Sequence, residues 1–187
     1  MTLANILTLV RLALIPFFVL CMSLDGILAL FLAALIFAIA SITDRLDGVI
    51  ARKYNQITDL GKILDPLADK LLTFSAFVMF TASGLMHPVA LLIILARELA
   101  ITSIRVVVAS GGKVVGAAFS GKLKTVLQIV VILVALCLPL ISYIGITFLD
   151  EYYTLICDIL FWLTAAVTLW SGLDYCMHGL SLKNLKK

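Results

Sequence analysis

Four aspartates lie close together in a chain that has few charged residues overall: Asp44, Asp47, Asp65 and Asp69. The first two are three positions apart and the last two are four apart, so on α-helices each pair lies on one face. Facing carboxylates repel one another unless cations lie between them, and carboxylate oxygens are ligands that Mg²⁺, Mn²⁺ and Ca²⁺ prefer. The spacing therefore predicts a divalent-metal site between two neighbouring helices.

Small residues accompany the acids, with Gly48 and Ala51 on the first face and Gly61 on the second. Because small side chains leave space, a bulky group could bind beside the metal. A structural alternative is that basic neighbours neutralise the acids at a membrane surface: Arg45, Arg52 and Lys70. Four acids at these spacings, with small residues between them, favour the metal site.

The helices that must position these groups are expected to lie in a membrane. Of 187 residues, 63% are hydrophobic and only 13% are charged, with a mean hydropathy of +1.19, whereas soluble domains carry roughly 25% charged residues. Six apolar segments are long enough to cross a bilayer: 6–22, 27–49, 63–83, 88–109, 123–142 and 153–177. We therefore predict an all-α polytopic membrane protein with six transmembrane helices and one domain over residues 1–187.

The ends of the first and third segments carry two further expectations. The first ten residues contain no basic region of the kind that opens a signal peptide, so the first segment is expected to remain as a helix. Pro66 is expected near the start of the third helix, where a missing backbone N–H matters least.

Among the connections between the segments, lysine and arginine occur only in alternate ones. They occur after the second segment, after the fourth segment and in the tail: Arg52, Lys53, Lys62, Lys113, Lys122, Lys183, Lys186 and Lys187. The other three connections contain neither residue type. By the positive-inside rule, both termini and the basic connections are cytoplasmic, and the aspartates lie at the cytoplasmic face.

The acidic region also resembles a known family. The chain matches D-x-x-D-G-x-x-A-R, then eight residues, then G-x-x-x-D-x-x-x-D, from Asp44 to Asp69. This pattern is similar to the signature of the CDP-alcohol phosphotransferases. The resemblance implies a six-helix membrane enzyme that uses two Mg²⁺ or Mn²⁺ ions, acts as a homodimer, and lies in the bacterial cytoplasmic (inner) membrane with its active site facing the cytoplasm.

The resemblance also implies roles for individual residues of the signature. Asp44, Asp47 and Asp65 are expected to bind the metals, and Asp69 to share in that binding and act as the general base. The remaining signature positions, together with Asp47, are expected to bind the CDP-diacylglycerol donor: Gly48, Ala51, Arg52 and Gly61. Close helix packing through small residues is the structural alternative for Gly48 and Ala51.

Segments outside the signature resemble the branch of the family that uses glycerol 3-phosphate as acceptor. Basic residues on the fourth and fifth segments are expected to bind the acceptor phosphate: Arg97, Arg105, Lys122 and Lys124. The alternatives are membrane-interface anchors or, for Arg97, an ion pair with Glu98. Near the N-terminus, three residues are expected to contact donor phosphate, or else to form a helix cap and a snorkelling anchor: Asn5, Thr8 and Arg11.

The predicted reaction is transfer of the phosphatidyl group of CDP-diacylglycerol to the hydroxyl of sn-glycerol 3-phosphate, giving phosphatidylglycerophosphate and CMP. The alternative acceptors are those of cardiolipin, phosphatidylserine and phosphatidylinositol-phosphate synthases, which share the signature. A divalent-cation transporter is a different class, and it is disfavoured because the acids cluster at one end of two helices. No nucleic-acid partner is predicted.

Overall fold

The computed structural model describes residues 3–53, 59–110, 119–143, 145, 148 and 150–179. Within these ranges it does not describe the side chains of 3–7, 44–53, 59–67, 69, 107, 109–110, 119 and 178–179. Gly111 and Gly112, which separate the fourth apolar segment from the fifth, and the lysines of the tail lie outside the described residues.

Six α-helices account for nearly all of the described chain, which contains no strand: α1 Leu3–Ser23, α2 Ile27–Lys53, α3 Asp59–Ala82, α4 Pro88–Ser110, α5 Phe119–Tyr143 and α6 Tyr153–Asp174. A π-helical turn, Tyr175–Gly179, continues α6. The prediction of six helices in an all-α chain is confirmed. The expectation for Pro66 is wrong, because α3 begins at Asp59 and Pro66 is therefore its eighth residue, past the first turn.

Glycine and proline lie between the predicted apolar segments, where one helix ends and the next begins. Gly26 joins α1 to α2 with a φ of 118°, and Gly84 follows α3 with a φ of 78°; both values lie in the left-handed region that favours glycine. After α3, the backbone amides of Leu85 and Met86 donate to the carbonyl of Phe80, and Pro88 opens α4. The turn is therefore tight enough to return α4 directly into the bundle.

In α1, α3, α4, α5 and α6, buried polar residues lie at one level of the bundle and the largest buried apolar residues at another. α1 packs on α2 and α3, α5 packs on α2 and α6, and α4 packs on α6. We call one level the polar end, made of Thr8, Arg11, Thr73, Arg97, Glu98, Ser120, Lys124, Gln128, Thr168 and Ser171. We call the other the apolar end, made of Phe18, Phe37, Phe77, Phe80, Met86, Ile94, Leu136, Cys157 and Phe161.

Residues of the polar end precede those of the apolar end along α1, α3 and α5 and follow them along α4 and α6, so these helices run up and down through the bundle. Contacts at both levels support this arrangement for α5 and α6. Ser120 donates to Asp174 at the polar end, and the Tyr153 hydroxyl donates to the carbonyl of Ala135 near the other end. By position alone, the late part of α2 and the early part of α3, which contain the four aspartates, belong to the polar end.

The outer surface of the bundle is apolar. Large hydrophobic side chains are exposed on successive helices, among them Phe17, Leu28, Leu92 and Leu173, while charged groups are buried inside. Two stretches, Ser120–Tyr143 and Tyr153–Met177, are long and apolar enough to cross a membrane, with mean hydropathies of 2.6 and 1.6. An apolar exterior around a partly polar interior suits lipid rather than water, and the chain is a helical membrane protein.

Candidate active site

A cavity of about 500 Å³ opens at the polar end between α3, α4 and α5. Its walls carry five basic side chains and one acidic one: Lys70, Arg97, Arg105, Lys122, Lys124 and Glu98. Hydroxyl and amide groups complete the polar lining: Thr73, Thr102, Thr125 and Gln128. The excess of positive charge suits a small anion such as a phosphate monoester.

Helical spacing brings the basic residues of α4 to one wall. Arg97 and Arg105 are eight positions apart, close to two helical turns, and both line the cavity. On α5, Lys124 and Gln128 are four positions apart and form the opposite wall. All four acceptor-site candidates of the sequence therefore line one cavity.

Glu98 holds two of these cations. Its Oε1 accepts hydrogen bonds from Lys124 Nζ and, at 3.4 Å, from Arg97 Nη1. The predicted alternative of an Arg97–Glu98 ion pair is thus present, but Arg97 lines the cavity at the same time. The two roles are compatible because a guanidinium has five N–H donors, which can point to different partners.

α6 supports Arg97 from behind, which the sequence did not predict. Arg97 Nη2 donates to Ser171 Oγ at 2.8 Å. A Cβ atom at Gly172 would lie 3.0 Å from Arg97 Cγ and 3.3 Å from Nε, so the arginine stem lies where a side chain would otherwise be. A glycine in the middle of a helix costs about 1 kcal/mol relative to alanine. That cost is the one signal in the sequence that could have pointed to this contact.

Arg105 and Lys122 are exposed at the cavity, and neither has a carboxylate partner among the described side chains. The Arg105 guanidinium carbon lies 5.1 Å from the centre of the Tyr175 ring, a cation–π distance. The buried Tyr175 therefore holds Arg105 while leaving its N–H groups able to bind an anion.

Lys70 brings α3 into the same cavity. Its Nζ bonds the hydroxyl of Thr102 on α4, and Thr73, one turn further along α3, also lines the wall. Lys70 directly follows Asp69 in the sequence, so the segment of α3 that carries the predicted base begins at the edge of the cavity. The sequence suggested Lys70 only as a cation that could neutralise the acids.

The four aspartates lie on α2 and α3, as predicted, but their side chains are outside the described set, as are those of Gly48, Ala51, Arg52 and Gly61. Ala68, directly before Asp69, is fully buried, so this part of α3 is packed inside the bundle. Among the side chains that are described, no three His, Cys, Asp or Glu groups are close enough to hold a metal. Whether the two acidic faces meet stays a prediction.

Thr8 and Arg11 are buried at the polar end, with Arg11 only 2% exposed. The alternative that Arg11 is a snorkelling anchor is wrong, because such an anchor must keep its guanidinium at the lipid surface. A buried arginine needs anionic or hydrogen-bonding partners inside the protein. Contact of Thr8 and Arg11 with donor phosphate stays a prediction, and the side chain of Asn5 lies outside the described set.

The fold and cavity define a helical membrane protein with a basic, phosphate-sized site at one end of its bundle. The sequence profile of the CDP-alcohol phosphatidyltransferases matches residues 1–170, and the chain belongs to this family. It is therefore a transferase enzyme, as predicted, and the cation-transporter alternative is wrong.

Curated relatives cover nearly the whole chain. A Rickettsia bellii protein named CDP-diacylglycerol–glycerol-3-phosphate 3-phosphatidyltransferase is 38% identical over 173 residues, which span 92% of each sequence. Proteins of the same name from Bacillus subtilis and Shigella flexneri serotype 5b are 37% identical over 185 residues and 41% identical over 179 residues. These alignments cover 92% and 91% of both sequences, respectively.

Proposed function

We propose that the protein transfers the phosphatidyl group of CDP-diacylglycerol to sn-glycerol 3-phosphate, giving phosphatidylglycerophosphate and CMP in phospholipid biosynthesis. The observation that carries the proposal is the basic cavity, which begins beside the α3 segment that contains Asp65 and Asp69. The names of the relatives from three bacterial genera support the same donor and acceptor.

The acceptor phosphate binds Arg105 and Lys122, because these two cations have no carboxylate partner in the described part of the chain. Arg97 and Lys124 contribute positive potential, but Glu98 takes up part of their hydrogen-bonding capacity. Lys70, on α3, lines the cavity next to the predicted base Asp69, so it lies between the phosphate site and the reacting hydroxyl of the acceptor.

The chemical step is a displacement at phosphorus. The oxygen of the acceptor's primary hydroxyl forms a bond to the phosphorus that bears diacylglycerol, and the bond from that phosphorus to the CMP oxygen breaks. CMP leaves with the electron pair, and the hydroxyl proton passes to the Asp69 carboxylate. The residues on α4 and α5 contribute mainly by holding the acceptor in line with the donor.

Divalent metal is the cofactor we propose. Asp44, Asp47, Asp65 and Asp69 form an all-oxygen donor set that suits Mg²⁺ or Mn²⁺, and two ions would fit four carboxylates on two helices. When bound, the metals neutralise and polarise the donor pyrophosphate. Gly48, Ala51, Arg52 and Gly61 then bind the nucleotide end of the donor, and Thr8, Arg11 and Asn5 its lipid-side phosphate.

The chain lies in the bacterial cytoplasmic membrane as a single domain with six spans, and we propose a homodimer by analogy with the family. Both termini and the polar end face the cytoplasm, where water-soluble glycerol 3-phosphate is available. The asymmetry of lysine and arginine between the connections supports this orientation.

Reporter fusions after Gly84 and Asp150 should be extracytoplasmic, and fusions after Gly112 and Lys187 cytoplasmic. A cytoplasmic fusion after Gly84 would contradict the topology.

The decisive experiment is a radiolabel assay of the purified protein with CDP-diacylglycerol. Glycerol 3-phosphate should be the preferred acceptor over serine, inositol phosphate and phosphatidylglycerol, which represent the other family members. Activity should be lost in EDTA and return with Mg²⁺ or Mn²⁺. Preference for another acceptor would reassign the enzyme within the family, and full turnover in chelator would exclude the metal proposal.

The acceptor site is tested by Arg105→Gln, with Lys122→Gln as a parallel variant. Either change should raise the apparent KM for glycerol 3-phosphate by about tenfold or more, because a charge-assisted phosphate contact is lost, while the KM for CDP-diacylglycerol changes little. Leu99→Ala, at an exposed apolar position on α4, is the control. Equal weakening of both substrates would make Arg105 and Lys122 membrane anchors rather than ligands.

A further inference from the structure

Two side chains of the cavity are not needed to bind phosphate. Glu98 on α4 and Gln128 on α5 both line it, and both are buried, with exposures of 6% and 4%. A carboxylate repels a phosphate, and an amide adds no charge to attract one. Glu98 already binds Arg97 and Lys124 through Oε1, but a bound phosphate would leave its other oxygen and the Gln128 amide without a role.

Each of the two has unused hydrogen-bonding capacity. Gln128 Nε2 is buried and has no hydrogen-bond partner in the described part of the chain. Glu98 uses Oε1 for both Lys124 and Arg97, and no described group donates to its Oε2. A buried donor without a partner, such as Gln128 Nε2, is costly unless a ligand fills it, and Glu98 Oε2 can accept a hydrogen bond from the same ligand.

The charge of the cavity lining also changes from its opening to its interior. Arg105 and Lys122 are exposed at its opening, whereas Glu98 and Gln128 are buried. On α5, Gln128 lies one turn beyond Lys124 towards the apolar end, so it is further from the opening than Lys122. A bound molecule would place its anionic group at the opening and a neutral polar group inside.

We propose that Glu98 and Gln128 recognise the non-reacting hydroxyl of the acceptor and select a phosphate monoester that carries two neighbouring hydroxyls. A hydroxyl donates one hydrogen bond and accepts others, so it can donate to Glu98 Oε2 and accept from the Gln128 amide. This inference rests on the proposed function. It assigns to these two residues the secondary hydroxyl of glycerol 3-phosphate and leaves the primary hydroxyl for the reaction.

The test compares glycerol 3-phosphate with 3-hydroxypropyl phosphate, which keeps the phosphate and the primary hydroxyl but lacks the secondary one. Wild-type protein should prefer glycerol 3-phosphate in kcat/KM by about ten- to a hundredfold, the range for a lost hydrogen bond to a charged group. In Gln128→Met, which keeps the length of the side chain, this preference should fall to about threefold or less. The fall should come from glycerol 3-phosphate, with 3-hydroxypropyl phosphate nearly unchanged.

Glu98→Gln is the second variant and keeps the shape of the carboxylate. It should also reduce the preference, and if Gln128→Met does not fold, Glu98→Gln and the wild-type preference still decide. Val130→Ala, at a half-exposed position two residues after Gln128, is the control and should retain the wild-type ratio. Equal loss on both acceptors in the variants, or no preference in the wild type, would overturn the inference while leaving the proposed function intact. Failure of the wild type to use glycerol 3-phosphate at all would instead remove the proposed function.

Discussion

The apolar end and the polar end of the bundle differ in how their buried side chains are packed and paired. At the apolar end the interior is filled by aromatic rings, with Phe77 and Phe80 lying 6.2 and 5.3 Å from Phe161 between ring centres. At the polar end, buried side-chain atoms without a partner in the described part of the chain occur on Arg97, Gln128, Thr168 and Tyr175. The apolar end is closely packed, whereas the polar end keeps unfilled hydrogen-bonding capacity, part of it on Arg97 and Gln128 in the cavity wall.

The comparison extends to the carboxylates. A second cavity, of about 360 Å³, lies near the apolar end and contains Asp158 and His87, yet the described residues give it no cluster of basic side chains. The His87 ring stacks at 5.8 Å on Trp162, an ordinary aromatic contact. An acidic residue inside a predicted span is therefore not sufficient for a phosphate site. Basic side chains from several helices must also lie near it.

The largest effect is expected for Asp69→Asn at the polar end. The change preserves shape and much of the hydrogen bonding but removes proton acceptance, so kcat should fall by about 10² to 10⁴. Binding of CDP-diacylglycerol in the presence of metal should largely survive, whereas Asp47→Asn should weaken metal and donor binding together. Donor affinity and kcat should be measured for both across a metal titration. Rescue of Asp69→Asn to near wild-type kcat by excess metal would make Asp69 a ligand and not the base.

The next effect belongs to the apolar end and to stability. Phe161→Ala removes a fully buried ring that contacts Phe77 and Phe80. It should lower the free energy of unfolding by roughly 3 kcal/mol, near the lower end of the range for soluble cores, because packing rather than transfer from water is lost. Thermal unfolding in detergent measures this, and the KM for glycerol 3-phosphate at low temperature should be unchanged. A raised KM without loss of stability would show that the two ends are coupled.

A smaller effect is expected for Gly172→Ala on α6. The new methyl group would displace the Arg97 stem, so the KM for glycerol 3-phosphate should rise by about tenfold while kcat changes less. Arg97→Lys, which lacks the guanidinium, should mask part of this effect in the double variant. Leu173→Ala, at an exposed position on the same turn, is the control. Additive effects of Gly172→Ala and Arg97→Lys would argue against direct positioning of Arg97 by α6.

The smallest effect is expected for Asp158→Asn near the apolar end. The substitution removes a carboxylate from a span without touching the basic cavity, so kcat and both KM values should change by less than about twofold, as for most substitutions outside a functional site. It is a matched control for Asp69→Asn, since each converts an intrahelical Asp to Asn. A loss of activity comparable to that of Asp69→Asn would mean that the two ends do not differ in function.

Much of this protein follows from its sequence alone. Six apolar runs separated by glycine and proline predict six helices, because backbone groups in lipid must be paired within each segment. The spacing of Asp44, Asp47, Asp65 and Asp69 identifies the family signature, and the eight-residue interval between Arg97 and Arg105 puts both on one wall. These features depend on helical periodicity, which is a local property and can therefore be recognised in the sequence.

The tertiary structure decided which groups share a site. Ser171 and Gly172 meet Arg97 across 74 and 75 positions of sequence, Gln128 and Glu98 come from different helices, and no local spacing relates them. The burial of Arg11 inside the bundle likewise showed that it is not a surface anchor, which the sequence alone could not decide. Such contacts depend on how the helices rotate and pack against one another, and each rotation is set by the sum of many side-chain contacts rather than by any single motif.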